Sequence, residues 1–119
     1  MAFLKDLALK VQSMSQRERC QIHTFFDSDP KGLSMALAIP SVSGIWLVDL
    51  ANISELQSVN QEITFQKQSS VDHSLEQKCQ NFRTELARYY QRMNQNRVAI
   101  MQEHVIARNL NTILYSKSN

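Results

Sequence analysis

The stretch that decides the fold is the C-terminal third of the chain, where residues 72–115 read DHSLEQKCQNFRTELARYYQRMNQNRVAIMQEHVIARNLNTILY. It contains neither Pro nor Gly, Asp72 suits a helix N-cap, and apolar side chains recur there with a period of seven. One series is Leu75, Phe82 and Tyr89, and the other, offset by four, is Cys79, Leu86, Met93, Ile100, Ala107 and Leu114. Together they predict one apolar stripe along about 40 helical residues, or about 60 Å at about 1.5 Å per residue.

A stripe of this length has to be covered by other apolar groups. The helix either bends back near Asn94–Asn96 or extends and pairs with a second chain, and Asn96 and Glu103 are polar positions that fix register or mark a break. We favour the extended form, which predicts a homodimer through the C-terminal helix, or pairing with a different protein. The predicted protein-interface residues are Leu75, Cys79, Phe82, Leu86, Tyr89, Met93 and Ile100.

Charge is distributed unevenly along the chain. Residues 1–75 carry 6 basic and 8 acidic side chains, a net charge of −2, whereas residues 76–119 carry 7 and 3, a net charge of +4. Arg88 and Arg92 lie four residues apart on the helix face opposite the stripe, and Arg97 flanks the stripe. These three arginines are candidate contacts to nucleic acid or to an acidic partner, because guanidinium groups bind phosphates and carboxylates bidentately. The alternative is an ordinary solvated helix face.

The clearest helix boundary lies nearer the N-terminus. Asp29 suits an N-cap, and Pro30 suits the first helical position, where no N–H is required. Pro40 disfavours helical geometry at the residue before it. A short helix is therefore predicted from about residue 30 to about residue 38.

Three further segments are assigned from apolar spacing. The first 26 residues predict short helices at 2–13 and 15–26, or one continuous helix, around the capping-box pattern Ser15-Gln-Arg-Glu18. Residues 44–60 fit a buried strand at 44–50 or a helix whose inner face carries Trp46 and Leu50. We favour the helix, because no turn signal follows. Alternating apolar and polar residues at 62–67 predict a short strand or an extended linker.

Residues 33–50, which read LSMALAIPSVSGIWLVDL, also resemble a helix-turn-helix. The pattern is a short apolar helix, a turn at Ile39-Pro40-Ser41 and a second helix from about Ser43. In that family the second helix enters the major groove of DNA. The segment departs from the pattern because its second helix has no Arg, Lys, Asn or Gln before Asn52, and Asp49 would repel phosphates. The resemblance implies a dimeric DNA-binding regulator as the alternative function.

Motif content argues against catalysis and metal binding. The chain has 2 Gly, too few for a Gly-rich phosphate loop, and no G-x-S-x-G pattern. Cys20 and His23 form one C-x-x-H pair, but a zinc site requires a second tight pair, and the spacing of His73 and Cys79 does not supply it. We predict no catalytic residue, no metal ligand and no cofactor. Two isolated cysteines also indicate a reducing compartment, the cytoplasm.

Length and composition indicate one folded domain over residues 1–119. The chain is 43% hydrophobic and 20% charged, which is typical of a globular protein. Residues 32–48 carry no charge, but Pro40, Gly44 and three serines interrupt them, which indicates a core segment and makes membrane insertion the lesser alternative. The predicted fold is all-α or nearly so, with short N-terminal helices on a long C-terminal helix. The predicted function is that of a small helical interaction protein: an adaptor, a chaperone-like accessory factor or a subunit of a larger assembly.

Overall fold

A computed structural model describes residues 21–69 and 73–118. In chain order they form β1 (Ile22–Thr24), α1 (Pro30–Ala38), β2 (Val42–Val48), α2 (Ile53–Leu56), α3 (Glu62–Gln68), α4 (Leu75–Phe82), α5 (Thr84–Asn96), α6 (Gln102–Ala107) and β3 (Thr112–Ser116). The described residues thus contain six helices and three strands, and the fold is mixed α/β. The all-α prediction is wrong. The predicted N-cap Asp72, Cys20 and the helix at 2–13 lie outside these residues.

The three strands form one mixed sheet in the order β1-β2-β3. The central strand β2 pairs in parallel with β1, where Thr24 lies opposite Ile45, and antiparallel with β3, where Tyr115 lies opposite the same residue. Strand neighbours on both sides and helices packed against the sheet bury most of β2. A strand in such surroundings is a nearly continuous apolar run with no clear alternation.

The helix favoured from residue 44 is therefore wrong, and so is the helix-turn-helix interpretation that needed it. The chain leaves α1 through Ser41, whose φ of 62° lies in the left-handed region, and continues directly as a strand. β-branched residues such as Val42 and Ile45 pack well on a pleated sheet, which favours the extended form here. Helix forms only at Ile53–Leu56, in the second half of the predicted segment.

The prediction of a single long C-terminal helix is also wrong. The helical run that begins at Leu75 is interrupted at Arg83, whose backbone is extended at φ −167° and ψ 138°. It ends at Asn96, where the alternative bend was expected, because Arg97 adopts a left-handed φ of 52°. The seven-residue period reports burial on one side of each segment, but the groups that cover this side belong to the same chain. The segments therefore turn to face a shared core.

Two smaller predictions are corrected as well. Residues 62–67 belong to helix α3 and not to a strand. Phe65 is buried, while Ile63, two residues before it, is 69% exposed. Their alternation in sequence thus does not correspond to alternating burial. Within the predicted helix at 15–26, Ile22–Thr24 is a strand, and residues 15–20 lie outside the described part of the chain.

The predicted helix at 30–38 is confirmed. Asp29 is its N-cap, Pro30 its first residue, and the Asp29 Oδ1 atom accepts a hydrogen bond from the Gly32 N–H at 2.6 Å. A Cβ atom at position 32 would overlap the carbonyl oxygen of Asp27, so the tight entry into this helix requires glycine. The helix ends at Ala38, and Ile39 before Pro40 is extended, as the proline predicts.

One hydrophobic cluster joins the sheet to α1, α4 and α5. Its most deeply buried large side chains are Leu33, Ile45, Leu47, Leu75, Leu86, Met93 and Ile100. The C-terminal stripe therefore supplies much of the core on which β2 rests, and this core fixes the positions of the sheet edges.

Candidate functional site

The seven predicted interface residues lie inside this core. Their exposed fractions range from 0% to 5%, and the set comprises Leu75, Cys79, Phe82, Leu86, Tyr89, Met93 and Ile100. The rest of the chain already covers them, so no second chain is required to bury the stripe. The homodimer interface predicted along one long helix therefore loses its structural basis.

The three arginines predicted as partner contacts lie in different surroundings. Arg92 donates from Nη2 to the Leu50 carbonyl oxygen at 3.3 Å and so holds the loop that follows β2. Arg97 forms a salt bridge from Nη1 to the Glu62 carboxylate at 2.8 Å, which ties the end of α5 to α3. Arg88 lies on the exposed face of α5. Two of the three guanidinium groups therefore make contacts within the chain.

The peptide groups of Val48 show how α5 is fixed to the sheet. Val48 lies opposite Thr112 in a non-hydrogen-bonded pair, so its N–H and C=O point away from β3 and past the end of the short strand β1. The Ser28 hydroxyl accepts from the Val48 N–H at 2.9 Å, and the Tyr89 hydroxyl donates to the Val48 carbonyl at 2.7 Å. Burial raises the pKa of Tyr89 well above its usual range. Two side chains thus replace the strand partner that β1 is too short to supply.

A polar cavity of about 410 Å³ lies at the start of α1. Its buried carboxylate, Asp29, accepts from the Gly32 N–H and from the Gln68 amide at 3.3 Å, and Gln68 in turn accepts from the Lys31 N–H at 3.1 Å. Burial raises the pKa of Asp29 above its ordinary value, although these hydrogen bonds act in the opposite direction. The polar groups at the base of the cavity are thus committed to one another and hold α1 against α3.

Metal binding requires a cluster of ligating side chains, and membrane insertion requires a long apolar helix. Among residues 21–69 and 73–118, no three His, Cys, Asp or Glu side chains are grouped so that they could hold a metal ion. Within the same residues, no helix has the length and apolarity needed to cross a membrane. Cys79 is a buried thiol.

The edge of the sheet formed by β3 has a different character. The Lys117 N–H donates to the Ser43 carbonyl at 2.8 Å, which places the odd-numbered residues of this segment in the hydrogen-bonded pairs with β2. Since the antiparallel ladder alternates, the peptide groups of Thr112, Leu114 and Ser116 point away from the sheet. In the part of the chain that the structure describes, no strand pairs with this outer side.

The described residues protect this outer side only in part. Natural sheet edges are normally blunted by charges, proline, bulges or covering segments. No charged residue and no proline lies between Arg108 and Lys117. Protection comes at one end, where the Arg83 Nη1 atom donates to the Ser116 carbonyl at 2.9 Å. The outward peptide groups of Thr112 and Leu114 form the open part of the edge.

Apolar side chains lie beside this open edge. Trp46 of β2 is 36% exposed and lies directly opposite Leu114 on the same face of the sheet. Gly44 lies on β2 two residues before Trp46 and opposite His23 of β1, and a Cβ atom there would come within 2.8 Å of both His23 Cδ2 and Leu114 Cδ1. Ile113, 37% exposed, is the next residue along β3 and projects from the other face. The edge is thus flanked by apolar groups on both faces.

A second cavity, of about 360 Å³, lies at the Ser116 end of the edge. Lys78 of α4 and Lys117 line it together with the apolar Leu37, Ile39 and Phe82, and no described lining residue carries a carboxylate. The Phe82 carbonyl accepts from the Ser118 N–H at 3.0 Å, which joins this cavity to the end of β3. The cavity is therefore a cationic depression next to the edge strand.

Sequence reasoning missed the edge strand. Leu114 was assigned to the helical stripe, although the run Thr112–Tyr115 is rich in β-branched and aromatic residues and follows two asparagines, Asn109 and Asn111. This composition is a strand signal. Asn109 adopts a left-handed φ of 51°, which turns the chain from α6 toward the sheet.

Fold and site together define a small mixed α/β protein, whose described residues form a three-stranded sheet with a partly open edge at β3. The chain matches the family model described as Domain of unknown function (DUF7281) over residues 6–112, and it belongs to that family. No curated protein and no solved structure matches it.

Proposed function

We propose that this chain is a non-catalytic interaction protein, acting as an adaptor, accessory factor or assembly subunit, that binds an extended segment of a protein partner along β3. The observation that carries the proposal is the outer side of β3, where the peptide groups of Thr112 and Leu114 point outward and no charged residue intervenes. An extended peptide that adds to such an edge gains main-chain hydrogen bonds.

Side chains next to the edge support the same function. In β-strand addition, alternate side chains of the incoming strand contact opposite faces of the sheet. Trp46 and Leu114 offer apolar contact on one face, and Ile113 offers it on the other. The occupant we propose is therefore an extended segment with apolar side chains, and the buried stripe of α4 and α5 takes no part in binding.

The fold also bears on the DNA-binding alternative and on the compartment. The DNA-binding alternative depended on a second helix after Pro40, and that segment is strand β2, so we do not propose it. We keep the cytoplasm as the proposed compartment. It is supported by Cys79, which is a thiol, since thiols persist in reducing compartments.

A proline scan of the edge tests the proposal. Thr112→Pro removes an outward N–H but no hydrogen bond to β2, and proline is tolerated at the first residue of an edge strand. Thr112→Val keeps the N–H and serves as the matched control. Tagged wild type and both variants are isolated from native cells, and the recovered proteins are quantified by mass spectrometry after circular dichroism has shown that each form is folded.

The expected result is a defined set of proteins recovered with wild type and Thr112→Val and reduced about tenfold with Thr112→Pro, which corresponds to about 1.4 kcal/mol of binding free energy. Equal recovery with all three forms would show that partners bind elsewhere. If Thr112→Pro does not fold, Thr112→Lys provides a second test, because an edge lysine opposes strand addition without changing the backbone.

A further inference from the structure

The cationic groups at the Ser116 end of β3 give the edge a chemical polarity. Arg83 is held there by two hydrogen bonds, one from Nη1 to the Ser116 carbonyl and one from Nε to the Glu85 carboxylate, each 2.9 Å long. A guanidinium group has five N–H donors in a planar fork. The described residues use two of them, so three remain for a ligand, on a side chain that is 37% exposed.

The surroundings of Arg83 add to this positive charge. Lys78 and Lys117 line the adjoining cavity, and none of its described lining residues carries a carboxylate. From residue 104 to the end of the sequence there are two basic residues, Arg108 and Lys117, and no Asp or Glu.

Two carboxylates of the described residues, those of Glu85 and Asp49, lie near opposite ends of β3. Glu85 forms a salt bridge with Arg83 and offsets one positive charge at the Ser116 end. Asp49 accepts from the Ala51 N–H at 2.9 Å and lies beside Asn111, at the opposite end of β3. Among the described residues, Arg83 and Lys117 outnumber Glu85 at the Ser116 end, so this end has a positive character, whereas the carboxylate of Asp49 lies at the Thr112 end.

From this arrangement we infer that the partner segment on β3 carries an acidic side chain, Asp or Glu, where it passes Ser116. The inference rests on the proposed function and names the chemistry of the partner. A carboxylate at this position accepts hydrogen bonds from the remaining donors of Arg83, in the geometry in which guanidinium and carboxylate pair most strongly. Lys117 contributes attraction at longer range. Arg83 thus selects for an acidic side chain in the segment, while the backbone of Thr112 and Leu114 forms hydrogen bonds with its main chain.

Three synthetic peptides test the inference. They share a central Val-Thr-Val-Thr-Val segment, are blocked by acetyl and amide groups, and carry Glu, Gln or Lys at both ends. The affinity of each peptide for wild type, Arg83→Gln and Arg83→Lys is measured by isothermal titration calorimetry. Circular dichroism confirms that the variants are folded, and the Gln peptide serves as an internal control for damage to the edge.

If the partner segment is acidic at this position, the Glu peptide binds wild type about tenfold more tightly than the Gln peptide, and the Lys peptide binds more weakly than both. This advantage shrinks at about 0.5 M NaCl, where charges are screened over a few ångströms. Arg83→Gln removes most of the advantage of the Glu peptide over the Gln peptide. Arg83→Lys retains part of the advantage. Should Arg83→Gln fail to fold, Lys117→Gln is expected to reduce the advantage in the same direction.

Two results separate the inference from the proposed function. Equal affinity of wild type for the Glu and Gln peptides overturns the acidic-partner inference, while the proposed function stands because both peptides still bind. If none of the peptides binds wild type, strand addition at β3 is itself wrong, and the inference falls with it.

Discussion

Removing the Tyr89 hydroxyl should weaken the fold without affecting assembly. The hydroxyl donates to the Val48 carbonyl at 2.7 Å, and its side chain is 4% exposed. In Tyr89→Phe the carbonyl loses this donor in a place that water does not readily reach. A buried polar group left without a partner costs about 1–3 kcal/mol. We therefore expect the free energy of unfolding to fall by this amount.

The same peptide group provides a second perturbation. Ser28→Ala removes the acceptor of the Val48 N–H at a fully buried position, with an expected loss of about 1–3 kcal/mol. Because both hydroxyls hold one peptide group, a shift of that peptide in either variant lowers the cost of the second change. The double variant is therefore expected to lose less than the sum of the two, with a coupling of about 0.5 kcal/mol or more.

Urea unfolding followed by tryptophan fluorescence measures these values. Tyr115→Phe is the matched control, because the Tyr115 ring meets the Tyr89 ring edge-on at a centroid distance of 5.4 Å, yet its side chain is only half-buried. Its loss is expected to stay within about 0.5 kcal/mol. If Tyr89→Phe is as stable as Tyr115→Phe, or if the unfolding midpoint depends on protein concentration, the assignment of Tyr89 to the monomer core is refuted.

Three further predictions concern the core and the first helix. Gly→Ala inside a helix normally stabilises by about 1 kcal/mol. Gly32→Ala is nevertheless expected to destabilise the protein, because the new Cβ would overlap the backbone oxygen of Asp27. Urea unfolding checks the sign of this change, with Ala38→Gly as the control for ordinary helix propensity. Burial raises the pKa of Tyr89 above the value of about 10 that it has when unfolded, so the folded state keeps its proton while the unfolded state releases it, and stability falls as pH rises above about 10 by up to about 1.4 kcal/mol per pH unit. Tyr89→Phe should flatten this slope, and an unchanged slope would contradict the prediction. Leu86→Ala is expected to cost about 2–5 kcal/mol with no change in elution volume on size exclusion, whereas a shift in elution volume without loss of stability would restore the interface interpretation.

Local signals in the sequence predicted local structure well. Asp29 and Pro30 determine where α1 begins, because capping and the fixed φ of proline act within one turn of the chain. The stripe positions from Leu75 to Ile100 are also correct as buried positions, whereas Ala107 is exposed and Leu114 is half-buried. Periodicity indicates which side of a segment is buried, but not whether consecutive segments are collinear. The breaks at Arg83 and Arg97 occur at residues that are ordinary in helices, so neither proline nor glycine marks them.

The candidate site could not be predicted because it depends on contacts distant in sequence. The peptide groups of Thr112 and Leu114 point outward only because the register with β2 places the neighbouring residues of β3 in hydrogen-bonded pairs. Arg83 belongs to the edge only because the break between α4 and α5 brings it to the carbonyl of Ser116. The sequence around Arg83 does not indicate that this residue contacts β3, and the sequence of β3 does not indicate its register with β2. The uneven charge of the chain predicts contacts to nucleic acid or to an acidic partner at Arg88, Arg92 and Arg97, and this stays a prediction.

Amide hydrogen exchange along β3, resolved by residue with NMR, is the sharpest test of strand addition at this edge. In the free protein the N–H groups of Ile113 and Tyr115, which bond to β2, are expected to exchange slowly, and those of Thr112 and Leu114 to exchange rapidly. Addition of the Glu peptide should slow exchange at Thr112 and Leu114 and leave Ile113 and Tyr115 unchanged. Slow exchange at all four residues of the free protein would show that the edge is already covered, and binding without new protection at Thr112 and Leu114 would place the partner elsewhere.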